Sequence, residues 1–155
     1  MPEEPNWNAL VPEFTVEQIE VSLRFYTIAG FSIRFQRDDP QFAYLELGHA
    51  QLMLEQQHER GWNVIPLDRP LGRGINFQIE VPDVDTVHSA LVAAGVTIFR
   101  EVKDTWYSVS PDLKKGGASS LFKTRMATYF VSRSISRVVV RPNNSSKPML
   151  LRGTA

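Results

Sequence analysis

A chain of 155 residues with 43% apolar residues is one domain in size, long enough to bury a substantial core. It has no apolar run of membrane length and no cysteine, which excludes disulfides, thiolate metal ligands and cysteine nucleophiles. The formal charge of zero conceals two opposite segments. All 17 acidic residues lie at or before Asp112 beside eight basic ones, a net −9, whereas nine basic residues and no acidic one follow from Lys114 onward, +9.

The start, MPEEPNWN, is acidic and broken by proline, so residues 1–7 read as a loose arm without a signal-peptide pattern, and the cytoplasm is the expected location. Ala9 to Val16 reads as a first strand and Glu17 to Ala29 as a helix that is acidic in its first turn, where the helix dipole favours carboxylates. Ile19, Leu23 and Tyr26 supply its buried side at helical spacing. Phe31, Ile33 and Phe35 alternate with polar residues as a strand, and Asp38-Asp39-Pro40 is turn chemistry. Phe42, Tyr44, Leu45 and Leu47 form a third strand, which Gly48-His49 turns into a fourth carrying Leu52, Met53, Leu54 and Glu55. The first module, residues 8–57, is thus βαβββ. Residues 58–73 are a connector whose Trp62, Ile65, Leu67 and Leu71 are too apolar for a free linker, and it is expected to pack over the sheet or a partner chain.

From Gly74 the pattern restarts. Ile75, Phe77, Ile79 and Val81 alternate, Asp83 is a good N-cap, Val84, Val87 and Leu91 have helical spacing, and Gly95 ends the helix. Val16 to Gly30 and Val81 to Gly95 have equal separations, with Ala29-Gly30 facing Ala94-Gly95 and Phe31 and Ile33 facing Val96 and Ile98. A repeat in register over a whole strand-helix-strand unit indicates internal duplication. Val96 to Lys103 is read as the next strand and Trp106 to Val109 as the start of another. After Asp112 the pattern fails. Residues 1–112 therefore form one domain, with module two at 74–112, followed by an atypical basic tail, 113–155.

The paired modules and the strings LELGHAQLMLEQ and GRGINFQIEVPDVDTVHSALVAAGV resemble the vicinal oxygen chelate superfamily, the glyoxalase/bleomycin-resistance/dioxygenase group, over about residues 8–112. The resemblance implies an α+β fold in which paired βαβββ modules form a half-open, cup-like mixed sheet around a ligand cavity, commonly in a homodimer. Metal-dependent members carry ligands at set places. Carried over, the first falls on Val11, its counterpart in the second module on Asn76, and an acid late in the fourth strand on Glu55. Valine cannot bind a metal and asparagine is a poor ligand for zinc or iron, so no metal site and no cofactor are expected. His49 reads as a turn residue, His58 as part of the connector and His88 as an exposed residue on the polar face of the second helix. Glu55 and His58 are expected on opposite faces.

The tail lacks the two strands around an Asp-Pro-Asp-Gly turn that the resemblance implies. Shifting the reading frame allows them: Lys123 as AAG, Thr124 as ACC, Arg125 as CGG and the invariant ATG of Met126 spell Asp-Pro-Asp-Gly when the last base of each codon is joined to the next. The neighbouring residues permit FLVQDPDGYLLRLAQ across the same stretch. Translation is read as leaving the ancestral frame near Leu113 to Lys115, with the charge reversal as independent support. The alternative is an authentic basic extension with an ordinary strand or hairpin from Thr128 to Val140. In the frameshift reading the basic tail is no evidence for nucleic-acid or membrane binding, module two is incomplete, and TYFVSRSISRVVV is a sequence able to pair on the exposed edge by chance. The position of the fourth family ligand is Leu or Arg even in the restored frame.

The expected function is non-catalytic binding of a small organic molecule, as in bleomycin-resistance proteins, in a cup or dimer groove lined by Trp62, Trp106, Phe42, Tyr44, Met53 and Glu55. Trp106 and Phe42 also fit plain core positions, and Glu55 a solvated edge. The acidic domain suits a cationic ligand, although surface charge for solubility explains it equally well. The rivals are a metal-dependent glyoxalase- or dioxygenase-type enzyme using Glu55, and a damaged product without activity. Neither nucleic acid nor membrane is an expected partner.

Overall fold

The computed structural model describes residues 6–69, 71–72, 74–110, 113–123, 129–133 and 139–140. Module one comprises β1 (Glu13–Val16), α1 (Ile19–Ile28), β2 (Ser32–Asp38), β3 (Gln41–Leu47) and β4 (Ala50–Gln56). Module two comprises β5 (Asn76–Glu80), α2 (Val84–Ala93), β6 (Ile98–Ser110), β7 (Leu113–Lys123) and β8 (Tyr129–Arg133), with a short β9 (Val139–Val140). Each module forms a mixed sheet with the same path: β1-β4-β3-β2 in the first and β5-β8-β7-β6 in the second, with β9 added beside β7. In both, the strand before the helix runs parallel to the last strand, and the other pairs are antiparallel.

The duplication extends to individual hydrogen bonds. Both helices have ten residues, and their ends are displaced equally (84 − 19 and 93 − 28 are both 65). The Gly30 and Gly95 N–H groups donate to Thr27 and Val92, while those of Phe31 and Val96 donate to Tyr26 and Leu91. Gly30 and Gly95 adopt φ of 102° and 74°, a conformation that costs a side chain but not glycine. The two starts are capped differently. The Asp83 carboxylate accepts from the Asp85 N–H and the Thr86 hydroxyl, which holds its pKa below the usual value. Gln18 makes no side-chain cap, and Gln56 Oε1 from the end of β4 accepts from the Ile19 N–H at 3.0 Å.

The helix-facing side of the first sheet carries Val16, Ala43, Leu45, Leu52 and Leu54, packed on Ile19, Leu23 and Tyr26 of α1. Ile79 and Leu91 of module two join the same apolar cluster, and Phe14 meets Phe77 with ring centroids 4.8 Å apart. One core therefore spans both modules. Burial lifts the pKa of the Tyr26 phenol far above its ordinary value.

Four expectations are corrected. The first strand starts at Glu13 rather than Ala9, since Pro12 has no N–H to donate and contributes only its carbonyl, to the Met53 N–H at 2.8 Å. Residues 6–8 are not loose: Gln51 bonds the Asn6 carbonyl and the Asn8 N–H, and Trp7 lies edge-on to Tyr44 with centroids 4.5 Å apart. Residues 1–5 lie outside the described residues. The strand expected at Val96 to Lys103 starts at Ile98 and runs on through Trp106 to Val109 as one strand, β6, because Asp104-Thr105 contains no glycine or proline to turn on and three register shifts absorb the irregularity. Finally, module two is not left without its last strands. Tail segments β7 and β8 take those places, with Asn76 beside Tyr129 and Glu80 beside Arg133. Gly117 and Ser120 are buried on β7, and the Ser120 hydroxyl donates to the Arg100 carbonyl. The Asp-Pro-Asp-Gly frame argument at residues 124–126 and the tail beyond Val140 fall outside the described residues. Among the described residues no helix is long and apolar enough to cross a membrane.

Candidate functional site

The sheet face turned away from α1 is built from cross-strand rows. Arg37, Phe42, Glu55 and Thr15 lie side by side in one row, and Phe35, Tyr44, Met53 and Glu13 in the next. Alternation along each strand places these side chains on a common face opposite the core. Trp7 covers part of it, with Phe35 and Tyr44 beneath and the Arg34 guanidinium 5.5 Å from its ring centroid. Tyr44 is fully buried and its hydroxyl donates to Gln51 Oε1 at 2.8 Å. Burial raises the pKa of that phenol, partly offset by Arg34.

The rest of the face opens into a cavity of about 420 Å³. Phe42, Met53 and Glu55 line its sheet side together with Glu13 and Arg37; Pro40, His58, Arg60 and Trp62 close its rim. Glu55 is the polar hub. Its carboxylate accepts from Arg37 at 3.2 Å and lies 2.9 Å from His58 Nε2, while Arg37 also lies over the Phe42 ring at 4.4 Å. The His58 Nδ1 accepts the Arg60 N–H, so Nε2 carries the proton donated to Glu55 in the neutral ring. Glu13 makes no hydrogen bond or ion pair among the described residues. Burial and the neighbouring Glu55 charge raise its pKa, against a smaller opposing effect of Arg37.

The connector is pinned to module one by polar contacts. The Gln57 N–H bonds the Val16 carbonyl, Arg60 pairs with Asp39 at 2.8 Å, Asn63 contacts Thr15, and Arg69 pairs with Glu17 at 2.6 Å. Its apolar tips point outward: Trp62 is 94%, Val64 99% and Ile65 74% exposed.

Of the six residues singled out from sequence, Phe42, Met53, Glu55 and Trp62 meet at this cavity. Tyr44 lies one row away beneath Trp7. Trp106 lies elsewhere, on β6 at the far edge of the second sheet, 43% exposed. The expectation that Glu55 and His58 face apart is corrected, because strand alternation ends with β4 at Gln56 and the chain bends at the Gln57–Val16 bond. His88 is partly covered rather than exposed, and its Nε2 lies 3.1 Å from Glu101. Glu13 and Arg37 were missed. Glu13 is two residues along the same face from Val11, so strand alternation was the available signal.

Among the described residues no three His, Cys, Asp or Glu side chains are placed to hold a metal ion. With valine at position 11, asparagine at 76, and Glu55 already engaged by Arg37 and His58, the donor set does not fit the metal of the fold's metal-dependent members.

Several solved structures share the fold. TioX from Micromonospora sp. ML1 aligns with a TM-score of 0.60 at 16% identity, covering 82% of this chain and 95% of that one. A glyoxylase/bleomycin resistance protein/dioxygenase domain from Frankia sp. EAN1pec gives 0.58 at 19% identity, covering 84% and 98%. The fosfomycin resistance protein FosX from Listeria monocytogenes gives 0.51 at 14% identity, covering 81% and 90%. The fold is thus one that this chain shares with these three proteins. In sequence, an uncharacterized protein of Mycolicibacterium smegmatis (strain ATCC 700084 / mc(2)155) is 30% identical over 86 residues, 56% of this chain and 66% of that protein. The match thus spans just under two thirds of that relative's length. No protein-family model matches the chain.

Proposed function

We propose that this chain is a member of the glyoxalase/bleomycin resistance/dioxygenase superfamily that binds a small organic molecule, of the antibiotic-like kind, without transforming it. The observation that carries the reading is the cavity at Glu55. It has an apolar floor of Phe42 and Met53, a few convergent polar groups and a volume suited to a drug-sized ligand, about 420 Å³. Its polar groups are committed to one another: Glu55 to Arg37 and His58, and Arg60 to Asp39. Such a site orients a ligand through fixed polar groups and leaves the Glu13 carboxylate to meet a charge on it. The protein acts in the cytoplasm as a homodimer, with the exposed Trp62, Val64 and Ile65 as the contact surface. A thermal-shift screen against bleomycin-type glycopeptides and divalent metals tests the reading. Stabilisation by an organic ligand that Phe42→Ala abolishes is expected. Stoichiometric zinc, iron or manganese on the purified protein would overturn it in favour of a metal-dependent enzyme.

The reading includes an out-of-frame tail from about residues 113–115. The reversal of charge supports it: all 17 acidic residues lie at or before Asp112, and nine basic residues and no acidic one follow from Lys114 onward. Sequencing the encoding DNA is decisive: codons other than AAG, ACC and CGG at Lys123, Thr124 and Arg125 would sink this part of the proposal.

A further inference from the structure

A second cavity, about 380 Å³, lies on the other side of β1 beneath the far half of the connector. Its walls are Phe14, Ile65, Leu67, Leu71 and Ile75, with Pro66, and its polar residues include Thr15 and Asp68. Glu13 lines this cavity and the first one alike. The connector crosses β1 between them, where Asn63 contacts Thr15, so that Trp62 reaches the first cavity and Ile65 the second. Glu13 thus stands at the waist of a groove with an apolar chamber at each end.

Among the described residues the charges around the waist are unbalanced. The cations at the first cavity are spoken for, Arg37 by Glu55 and Arg60 by Asp39, and no basic side chain lines the second among the described residues. Glu13 and Asp68 make no hydrogen bond or ion pair among the described residues. Glu13 is exposed at the mouth of both cavities, and its unmatched carboxylate is complementary to a cationic donor on a molecule lying in both chambers.

We infer that the second cavity is a subsite of the same binding site, and that the ligand is an elongated amine: a protonated nitrogen held by Glu13, with an apolar group on each side filling one chamber. This rests on the small-molecule reading above and adds the ligand's shape and the position of its charge. Seating the second apolar group removes an aryl-sized surface from water, which raises affinity about tenfold or more over a one-armed amine.

Calorimetric titration of the full chain with three probes tests this. Dibenzylamine has two aryl arms about a central ammonium, benzylamine has one arm, and dibenzyl ether has two arms and no N–H. The expected order is dibenzylamine tightest, about tenfold ahead of either other probe. Glu13→Gln removes most of the advantage over the ether. Leu71→Ser, which removes apolar surface from the second chamber without adding charge, is expected to cost dibenzylamine more than benzylamine and so to narrow the gap between them. Equal affinities for dibenzylamine and benzylamine would overturn the second subsite while leaving the first cavity's function intact. An ether as tight as the amine would overturn the role of Glu13. Failure of all three probes to bind would overturn the inference, and failure of the broader ligand screen as well would remove the small-molecule reading with it.

Discussion

Replacing Leu91 by alanine tests whether the two modules share one core. Leu91 has no exposed surface, lies in α2, and belongs to the apolar cluster that contains Tyr26, Leu54 and Ile79. A fully buried Leu→Ala change costs about 2–5 kcal/mol, the transfer of the lost carbons plus the cavity left behind. With about 3 kcal/mol lost from a chain of 155 residues, the Tm falls by about 6–12 °C, at about 2–4 °C per kcal/mol. The transition stays single, because the cavity opens in a cluster fed by both sheets. Urea and thermal melts followed by circular dichroism and fluorescence, with Trp62→Phe combined with either Trp7→Phe or Trp106→Phe to leave one tryptophan in each background, read this directly. A loss below about 1 kcal/mol would refute the shared core. So would a Trp106 signal that disappears before that of Trp7, because module two would then unfold on its own.

Glu55→Ala releases His58 and Arg37 together. Each contact is a charged hydrogen bond on a side chain 14% exposed, so a loss of about 2 kcal/mol and faster amide exchange across residues 57–61 are expected; unchanged exchange there would show that Glu55 does not pin the connector. Glu13→Gln acts in the opposite direction. With the folded pKa above the ordinary 4.5, the stability associated with Glu13 is full below that value and lost as pH rises through the folded pKa. The variant is therefore more stable than the parent at neutral pH, and the difference vanishes at about pH 3; a variant less stable at neutral pH would reverse the assignment. Gly95→Ala and Gly30→Ala each cost about 1 kcal/mol through φ alone, since a methyl at Gly95 meets nothing within 4 Å and one at Gly30 only Leu47 at 3.6 Å. Chemical denaturation of the pair checks that the two losses agree, and a neutral effect at Gly95 would mean that its turn relaxes.

What the sequence disclosed follows the range of the forces involved. The helices repeat at a constant displacement because spacing, N-cap and terminal glycine are local features, and they recur between Val16–Gly30 and Val81–Gly95 down to single hydrogen bonds. Phe42, Met53 and Glu55 were within reach because strand alternation alone puts them on one face. Alternation also marked the face of Glu13, but its place beside Met53, and that of Arg37 beside Phe42, depends on which strands pair and in which register. The His58–Glu55 contact escaped for another reason: alternation stops where β4 ends, and the direction of the next two residues is set by a backbone bond to β1. Trp106 looked like a site residue on chemistry alone, and the long β6 carries it to the far edge of the second sheet.

The site and the tail can be judged separately. Every residue named at either chamber, from Glu13 to Ile75, precedes module two's helix, and both chambers are walled by the first sheet and the connector. Among the described residues none after Asp112 lines either cavity; β8 pairs with β5 and β7 with β6 in the second sheet. A strand such as TyrPheValSerArg at 129–133 suits this position by composition, whatever frame produced it, since parallel pairing asks for backbone hydrogen bonds and side chains that tolerate a pleated surface. The glycine-containing β7 supplies the same backbone pairing along its length. The cavities around Glu13 and Glu55 are thus lined by residues that all precede the tail. Loss of stability and loss of binding are then two different failures of this chain, with different residues responsible for each.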